Sequence, residues 1–307
     1  MKTILMLNDC NGRDDLSGKL KKGYEDVYSY FFDRGIVLCR SPIIFYDKDK
    51  KKFKMAQFFD GQKWRWKENI VPDLIYDKSR FFIEKNKMEL RQRIERDFPF
   101  LNPLKLSEML SDKWQTYLNF KKYSPGTILI KTKKDLQALS KIRSSKVVLK
   151  PLTGSGGEGV EIADKIKILR TDFPFLIQEF IKTEGVPEIV KGPHDIRVIM
   201  RNEKPFYSFV RIPPRGKFIA NLAEGGRIRV LDIKELPKSV NEVINFVSNK
   251  LKKFKKKLYA VDFIFDNKGR AWILEMNSRP GITLEKEEQR YKDIFYGNLM
   301  KFLTEKK

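Results

Sequence analysis

The sequence predicts an α/β fold, α+β in its second part, and three observations carry the prediction. The first hundred residues alternate short apolar runs with helical spacing, the pattern of a small α/β domain built on a parallel sheet. Residues 147–162, VVLKPLTGSGGEGVEI, read as a strand, a Gly-rich turn and a second strand. Residues 259–281, YAVDFIFDNKGRAWILEMNSRPG, read as a hairpin with carboxylates set on apolar strands.

Taken in order, residues 3–7 predict a buried strand and residues 8–12, NDCNG, a loop. Leu20, Tyr24, Val27, Tyr28, Phe31 and Phe32 recur at helical spacing, and Gly35 ends that helix. Strands are expected over 36–39, 43–46 and 72–76, and a hairpin over 53–66 around Asp60-Gly61. A charged helix is expected over 82–98. Residues 99–103 carry two prolines and mark a boundary. Beyond it, helices are expected near Trp114, over 134–142, over 236–253 and from Leu284 onward. Strands are expected over 127–130, 175–181, 195–200, 206–212, 259–265 and 271–276.

Composition excludes several classes. No apolar run approaches the ~20 residues of a membrane span, and the five-residue apolar run at the N-terminus reads as a first strand rather than a signal peptide. Two cysteines, Cys10 and Cys39, are too few for a disulfide framework, which favours a cytoplasmic setting and two ordinary buried thiols. A single histidine, His194, argues against a zinc site. The net charge of +23 fits nucleic acid, a membrane surface or an acidic substrate. Its spread along the chain, with local runs at 48–52 and 252–257, fits solvated surface better than a dedicated nucleic-acid stripe, and no recognition helix or aromatic RNA motif supports nucleic acid.

Two stretches carry chemistry. Gly154, Gly156, Gly157 and Gly159, with Ser155, form a loop with almost no Cβ bulk, able to bring backbone N–H groups close to phosphate oxygens. Lys150 stands at the end of the preceding strand. A flexible hairpin tip with an exposed lysine is the alternative. The loop is not a P-loop, since no Gly-Lys-Ser/Thr ends it, and a strand follows where a dinucleotide fingerprint needs a helix. In the second stretch Glu275 and Asn277 are two apart on one strand and share a face. The turn brings Asp262 back near position 273 or 274. Two carboxylates and an amide suit Mg²⁺ bound together with nucleotide phosphates; an ion pair of Glu275 or Asp262 with Arg279 or Arg270 is the alternative.

The order of motifs resembles the ATP-grasp superfamily, in the branch of bacterial glutathione synthetases and the ligase that adds glutamate to ribosomal protein S6. The resemblance runs from about Ser111 to Leu284. It implies an ATP-grasp fold over 101–307, with a nucleotide lid at about 125–180 and a metal-binding part at about 181–307, after a pre-ATP-grasp domain over 1–100. Lys113 in SDKW and Lys150 in LKPLTGSGGEGV resemble the two nucleotide lysines, the second followed by the phosphate-covering loop Gly154, Ser155, Gly156 and Gly157. Gln178, Glu179, Phe180 and Ile181 resemble the adenine hinge. Asp195 and Arg197 in HDIRV resemble the family's (G/H)D-x-R pair, and Arg211 in VRIP with Asn221 and Arg227 in NLAEGGR resemble a block that lines the acyl-phosphate site. Asp262, Glu275 and Asn277 resemble the metal ligands.

The resemblance implies ATP and Mg²⁺ as cofactors, with Mn²⁺ as the alternative metal. It implies an ADP-forming ligase joining a carboxylate and an amine of an amino acid, a peptide or an acidic protein tail. Arg197, Arg211 and Arg227 are then the catalytic cations, and dimers or tetramers are the usual state. A phosphotransferase acting on a hydroxyl, and a structural or regulatory protein that only binds nucleotide, remain the alternatives. The NSRPG segment is closer to a general peptide ligase than to a glutathione synthetase.

Overall fold

The structure, a computed structural model, describes residues 1–13, 16–80, 84–154, 156–168, 170–220 and 225–305. Contacts divide the chain into two units. The first comprises Met1–Ser107, Phe254–Leu258 and Arg279–Lys307, and the second Glu108–Lys253 and Tyr259–Ser278.

The first unit is built on a seven-stranded sheet. Its centre is β1 (Lys2–Asn8), parallel to β2 (Ile36–Pro42) on one side and β6 (Leu74–Asp77) on the other. Strand β6 continues in parallel to β7 (Phe100–Leu101). On the far side β3 (Tyr46–Asp47), β4 (Lys52–Phe59) and β5 (Trp64–Ile70) add antiparallel pairings. Helix α1 (Gly18–Phe32) buries Val27, Tyr28, Tyr30 and Phe31, and Gly35 at φ 77° turns the chain into β2. Leu20, expected on the buried stripe, is 55% exposed at the first turn. Residues 43–45, expected in a strand, form a 3-10 turn that interrupts the chain between β2 and β3, both of which pair antiparallel with β4. Helix α2 (Lys85–Asp97) packs Ile94 into a core with Leu5, Leu7, Ile75 and Phe53; residue 82, the expected start of that helix, lies outside the described residues. The closing helix, α6 (Lys292–Thr304), belongs to this unit, whereas its position in sequence had grouped it with 101–307.

Helix α3 (Leu104–Ser111) contains the boundary between the units. The second unit continues with α4 (Lys113–Phe120), capped by Asp112, whose carboxylate accepts from the N–H groups of Trp114 and Gln115. Four antiparallel strands follow in the order β10-β9-β11-β8: β8 (Thr127–Ile130), β9 (Lys146–Pro151), β10 (Glu161–Asp164) and β11 (Phe175–Glu179). A small ribbon, β12 (Gly185–Val186) and β13 (Val190–Lys191), leads to a five-stranded sheet. That sheet runs β16-β15-β14-β17-β18, with β14 (Asp195–Arg201), β15 (Lys204–Ile212), β16 (Arg227–Leu231), β17 (Leu258–Phe265) and β18 (Ala271–Asn277). Helix α5 (Lys238–Leu251) buries Val240, Val243, Ile244 and Val247 at the expected helical spacing.

Candidate functional site

The Gly-rich turn is a true hairpin: β9 pairs with β10 from Leu149 opposite Glu161 to Lys146 opposite Asp164. Its glycines are used as glycines. Gly154, Gly156, Gly157 and Gly159 have φ values of 111°, 71°, 81° and 67°, in the region that side chains avoid. Ser155 lies outside the described residues. At the strand end the Lys150 ammonium donates to Gln178 Oε1 at 2.6 Å. Gln178 is oriented in turn by donating to Thr127 Oγ1 at 3.0 Å. Burial lowers the Lys150 pKa to about 8; Lys113 adds to the shift, and the nearby Glu275 and Asp262 oppose it. Lys113, at the N-terminus of α4, donates to the Gly154 carbonyl at 2.7 Å and stands 3.8 Å from Glu275 Oε1. Its pKa is also lowered by burial.

The segment expected to serve as a hinge is held from behind. The Glu179 carboxylate accepts from the backbone N–H of Gly126 at 3.2 Å and of Arg143 at 3.0 Å. Its side chain is thereby anchored to the neighbouring segments. Those contacts require a glycine at 126, where a Cβ would lie 2.8 Å from the Glu179 carboxyl carbon.

The acidic hairpin departs from the expected register. Asp262 pairs with Glu275 and Phe263 with Ile273, so Leu274 is an extra residue, a β-bulge. The sequence placed Asp262 near 273 or 274 because a regular ladder needs no bulge. The bulge sets Asp262 directly opposite Glu275, which gives the two side chains the same face and aligns Asn277 with them. Asp262 is 2% exposed. Its carboxylate accepts from Arg197 Nε at 2.7 Å and Arg197 Nη2 at 2.6 Å, and from Arg211 Nη2 at 2.6 Å. Arg211 Nε donates to Asp195 at 2.6 Å. A chain of alternating charge results, Arg197–Asp262–Arg211–Asp195. Burial alone would raise the Asp262 pKa, but the two guanidiniums outweigh it and hold the carboxyl below its ordinary value. Asp195 is pushed up to about 6, by burial first, with Arg211 opposing and the Asp262 charge adding to the rise. Glu275 and Asp262 therefore pair with Lys113 and with Arg197 and Arg211, and neither shows an ion pair with Arg270.

A cleft of about 370 Å³ brings these groups together. Lys113, Lys150, Glu275 and Asn277 line it with Arg197 and Arg211. Gln178, Glu179, Phe180 and Ile181, the residues expected as a hinge, line it too, with the loop residues Gly156 and Gly157 and with Asp195. Its apolar walls come from Val148 and Ile162 on one sheet and Ile264 and Leu274 on the other. Arg227 is not among the lining residues: Ile228 takes the buried side of β16, so alternation turns Arg227 outward and exposed. Asn221 lies outside the described residues. Sequence reasoning missed Phe218 and Ile219, which also line the cleft. Phe218 meets Phe180 edge-on with ring centroids 5.6 Å apart, and a Cβ at Gly157 would lie 2.9 Å from Ile219 Cγ2. Their sequence, KFIAN, carries no motif; only the position between two glycine-bearing loops hinted at a role.

The donor set fits a hard cation only in company. No group of three or more His, Cys, Asp and Glu side chains is poised for a metal among the described residues. Two carboxylates and an amide on one face suit a cation that draws its other ligands from phosphate oxygens. His194 is 4% exposed, with Nδ1 2.9 Å from the Gly192 carbonyl and its ring stacked on Phe265, and it also lines the cleft. Cys39 is buried and its thiol pushed up to about 12 by burial, while Cys10, expected to be buried, is only partly so. No helix among the described residues is long and apolar enough to cross a membrane.

Residues 113–268 match the family model of the prokaryotic glutathione synthetase ATP-grasp domain. A glutathione synthetase of Prochlorococcus marinus is 33% identical over 140 residues, 41% of this chain and 43% of that protein. A probable alpha-L-glutamate ligase of Mannheimia succiniciproducens is 26% identical over 232 residues, 70% of this chain and 72% of that protein. The chain spans about two fifths of the length of the curated glutathione synthetases it matches. The fold of a RiPP-associated ATP-grasp ligase of Chryseobacterium gregarium, solved with ADP and a leader and core peptide, superposes with a TM-score of 0.60 at 17% identity, covering 99% of this chain and 96% of that one. The fold is ATP-grasp, a family that implies ATP and a divalent cation, and the chain belongs to the prokaryotic glutathione synthetase branch of that family.

Proposed function

We propose that this chain is an ADP-forming ligase that joins a carboxylate to an amine through an acyl phosphate, with an amino acid, a peptide or a protein tail as substrate. The observation that carries the reading is the convergence of Lys113, Lys150, Glu275, Asn277, Arg197 and Arg211 on one cleft beside a Gly-rich hairpin, with Asp262 bound behind the two arginines. Lys113 and Lys150 hold the nucleotide phosphates, and the backbone of Gln178–Ile181 receives the adenine. Mg²⁺ at Asp262, Glu275 and Asn277, with Mn²⁺ as the alternative, would neutralise the phosphate oxygens during phosphoryl transfer. Gly154–Gly159 closes over the phosphates and keeps water from the acyl phosphate. Arg211 and Arg197 face the place where negative charge develops as the amine attacks. Arg227 and Asn221 are assigned to the same site by family resemblance alone. A cytoplasmic setting rests on the low cysteine count, and a homo-oligomeric assembly on family resemblance.

The test is ADP release from Mg-ATP over pooled amino acids, dipeptides and acidic peptides, with mass spectrometry of the products. A condensed product is expected from the wild type and none from Glu275→Gln. A phosphorylated product with no amide would overturn the reading.

A further inference from the structure

One face of the five-stranded sheet carries a row of charge across four strands. Glu275 on β18 stands opposite Asp262 on β17, and Asp195 on β14 stands opposite Arg211 on β15. Asp195 and Arg197 are two apart on β14 and share its face. Strand β14 lies between β15 and β17. Register and alternation therefore bring carboxylates and guanidiniums side by side.

The contacts that result close on Asp262. Arg197 grips both of its oxygens, Oδ1 through Nε at 2.7 Å and Oδ2 through Nη2 at 2.6 Å, and Arg211 Nη2 adds a second bond to Oδ2 at 2.6 Å. These are short, charge-assisted bonds, and the first two make the forked pairing in which a guanidinium matches a carboxylate best. A carboxylate has about four lone-pair sites, so most of the accepting capacity of Asp262 is taken up. The arginines also stand on the cleft side. Arg197 and Arg211 line the cleft with Glu275 and Asn277, whereas Asp262 is 2% exposed and is not among the lining residues.

Glu275 and Asn277 are thus reached from the cleft directly, and Asp262 only by displacing two guanidiniums whose charge repels a cation. Anionic oxygens change that balance. Each guanidinium has five N–H donors and uses two of them here, so both have donors left for phosphate. Arg211 also keeps its Nε bond to Asp195 at 2.6 Å, about which it can pivot when it leaves Asp262.

We propose that Arg197 and Arg211 are a lock on Asp262. In the nucleotide-free chain they occupy its carboxylate. Phosphate oxygens entering the cleft draw the guanidiniums off and release Asp262 to the divalent cation that accompanies the nucleotide. That Asp262 serves as a cation ligand rests on the ligase reading, and the experiment follows binding rather than turnover so that the two can fail separately.

Mn²⁺ binding is followed by electron paramagnetic resonance, without nucleotide and with a non-hydrolysable ATP analogue. Without nucleotide, Asp262→Asn is expected to leave the Mn²⁺ affinity of the wild type unchanged; with the analogue bound, it is expected to weaken it about tenfold or more. Arg197→Gln is expected to bind Mn²⁺ without nucleotide about tenfold more tightly than the wild type. Adding Asp262→Asn is expected to remove that gain. Lys204→Gln, which removes a charge at the exposed start of β15, is expected to change nothing. If Arg197→Gln does not fold, Arg197→Lys replaces it: a point charge cannot span both oxygens, and part of the gain is expected. Nucleotide-free affinity no higher in either variant than in the wild type overturns the lock. So does a wild type that already loses nucleotide-free affinity on Asp262→Asn. If Asp262→Asn has no effect with the analogue bound, Asp262 is not a ligand and the lock falls with it, while amide formation keeps its own test. Failure of the analogue to bind at all overturns the nucleotide cleft, on which the release step rests.

Discussion

Lys150 sits on the edge of its charged range. With its pKa lowered to about 8, the ammonium is mostly protonated below that pH and mostly neutral above it. A triphosphate binds the protonated form, so the nucleotide raises the lysine's pKa when it arrives and takes up a proton above pH 8. ATP affinity should therefore be flat below about pH 8 and fall by roughly tenfold per pH unit above it, until the bound-state pKa is reached. Lys113 shifts in the same direction and adds to the slope. Calorimetric ATP titrations across this range check it, with Lys150→Met expected to bind weakly and to lose most of the slope. An unchanged slope in Lys150→Met would place the titrating group elsewhere. The place of this lysine beside the Gly-rich turn was legible from the sequence, because a Lys before such a turn is a local pattern. Its partner Gln178 was legible only as part of a hinge, since the hydrogen bond joins residues 28 apart on adjacent strands.

At the scale of elements, both hairpins could be read because their turns are marked by glycine and by Asp-Asn-Lys-Gly. The bulge at Leu274 could not: a ladder with one extra residue looks in sequence like a regular strand, yet it decides which residue stands opposite Asp262. The outward turn of Arg227 was hidden for a related reason, because alternation cannot be phased until the buried partner, Ile228, is known. The meeting of the Gly-rich loop with Ile219 is another such contact, and it makes a test. Ala at position 157 meets two penalties, a φ of 81° and a Cβ 2.9 Å from Ile219 Cγ2. The first costs about 1–2 kcal/mol in the closed loop, and the second forces the two loops apart. Gly157→Ala should lower kcat/KM for ATP-driven ADP release about tenfold or more, with thermal stability nearly unchanged because the loop is at the surface. Adding Ile219→Ala should restore part of the loss, since it removes the clash and leaves the backbone strain. No recovery in the double variant would assign the whole effect to backbone strain.

The whole molecule shows what local patterns cannot carry. The first unit is assembled from three separate stretches of chain, and the return of Phe254–Leu258 and Arg279–Lys307 to it leaves no mark in sequence periodicity. The prolines of 99–103 predicted a boundary there, whereas the units divide within α3, after Ser107, and the contacts that recruit the later stretches are between residues more than a hundred positions apart. Asn102 is the clearest of these. It is fully buried, at φ 60°, and its side-chain amide donates to the Leu258 carbonyl at 2.7 Å and accepts from the Leu258 N–H at 2.7 Å. Its own backbone N–H donates to the Lys256 carbonyl at 3.1 Å. The side chain thus stands in for a strand partner, satisfying both backbone groups of a residue 156 positions away. Asn tolerates the left-handed backbone better than most residues, which joins the two requirements in one position. Asn102→Ala keeps the backbone bond to Lys256 but strands two buried polar groups of Leu258. It should cost about 2–4 kcal/mol of unfolding free energy, read from the denaturant midpoint at unchanged slope. Asn102→Asp tests the geometry separately: it keeps the acceptor for the Leu258 N–H and sets an oxygen against the Leu258 carbonyl. Its loss should equal or exceed that of Ala, whereas a loss much smaller than Ala's would mean that Leu258 N–H alone carries the link.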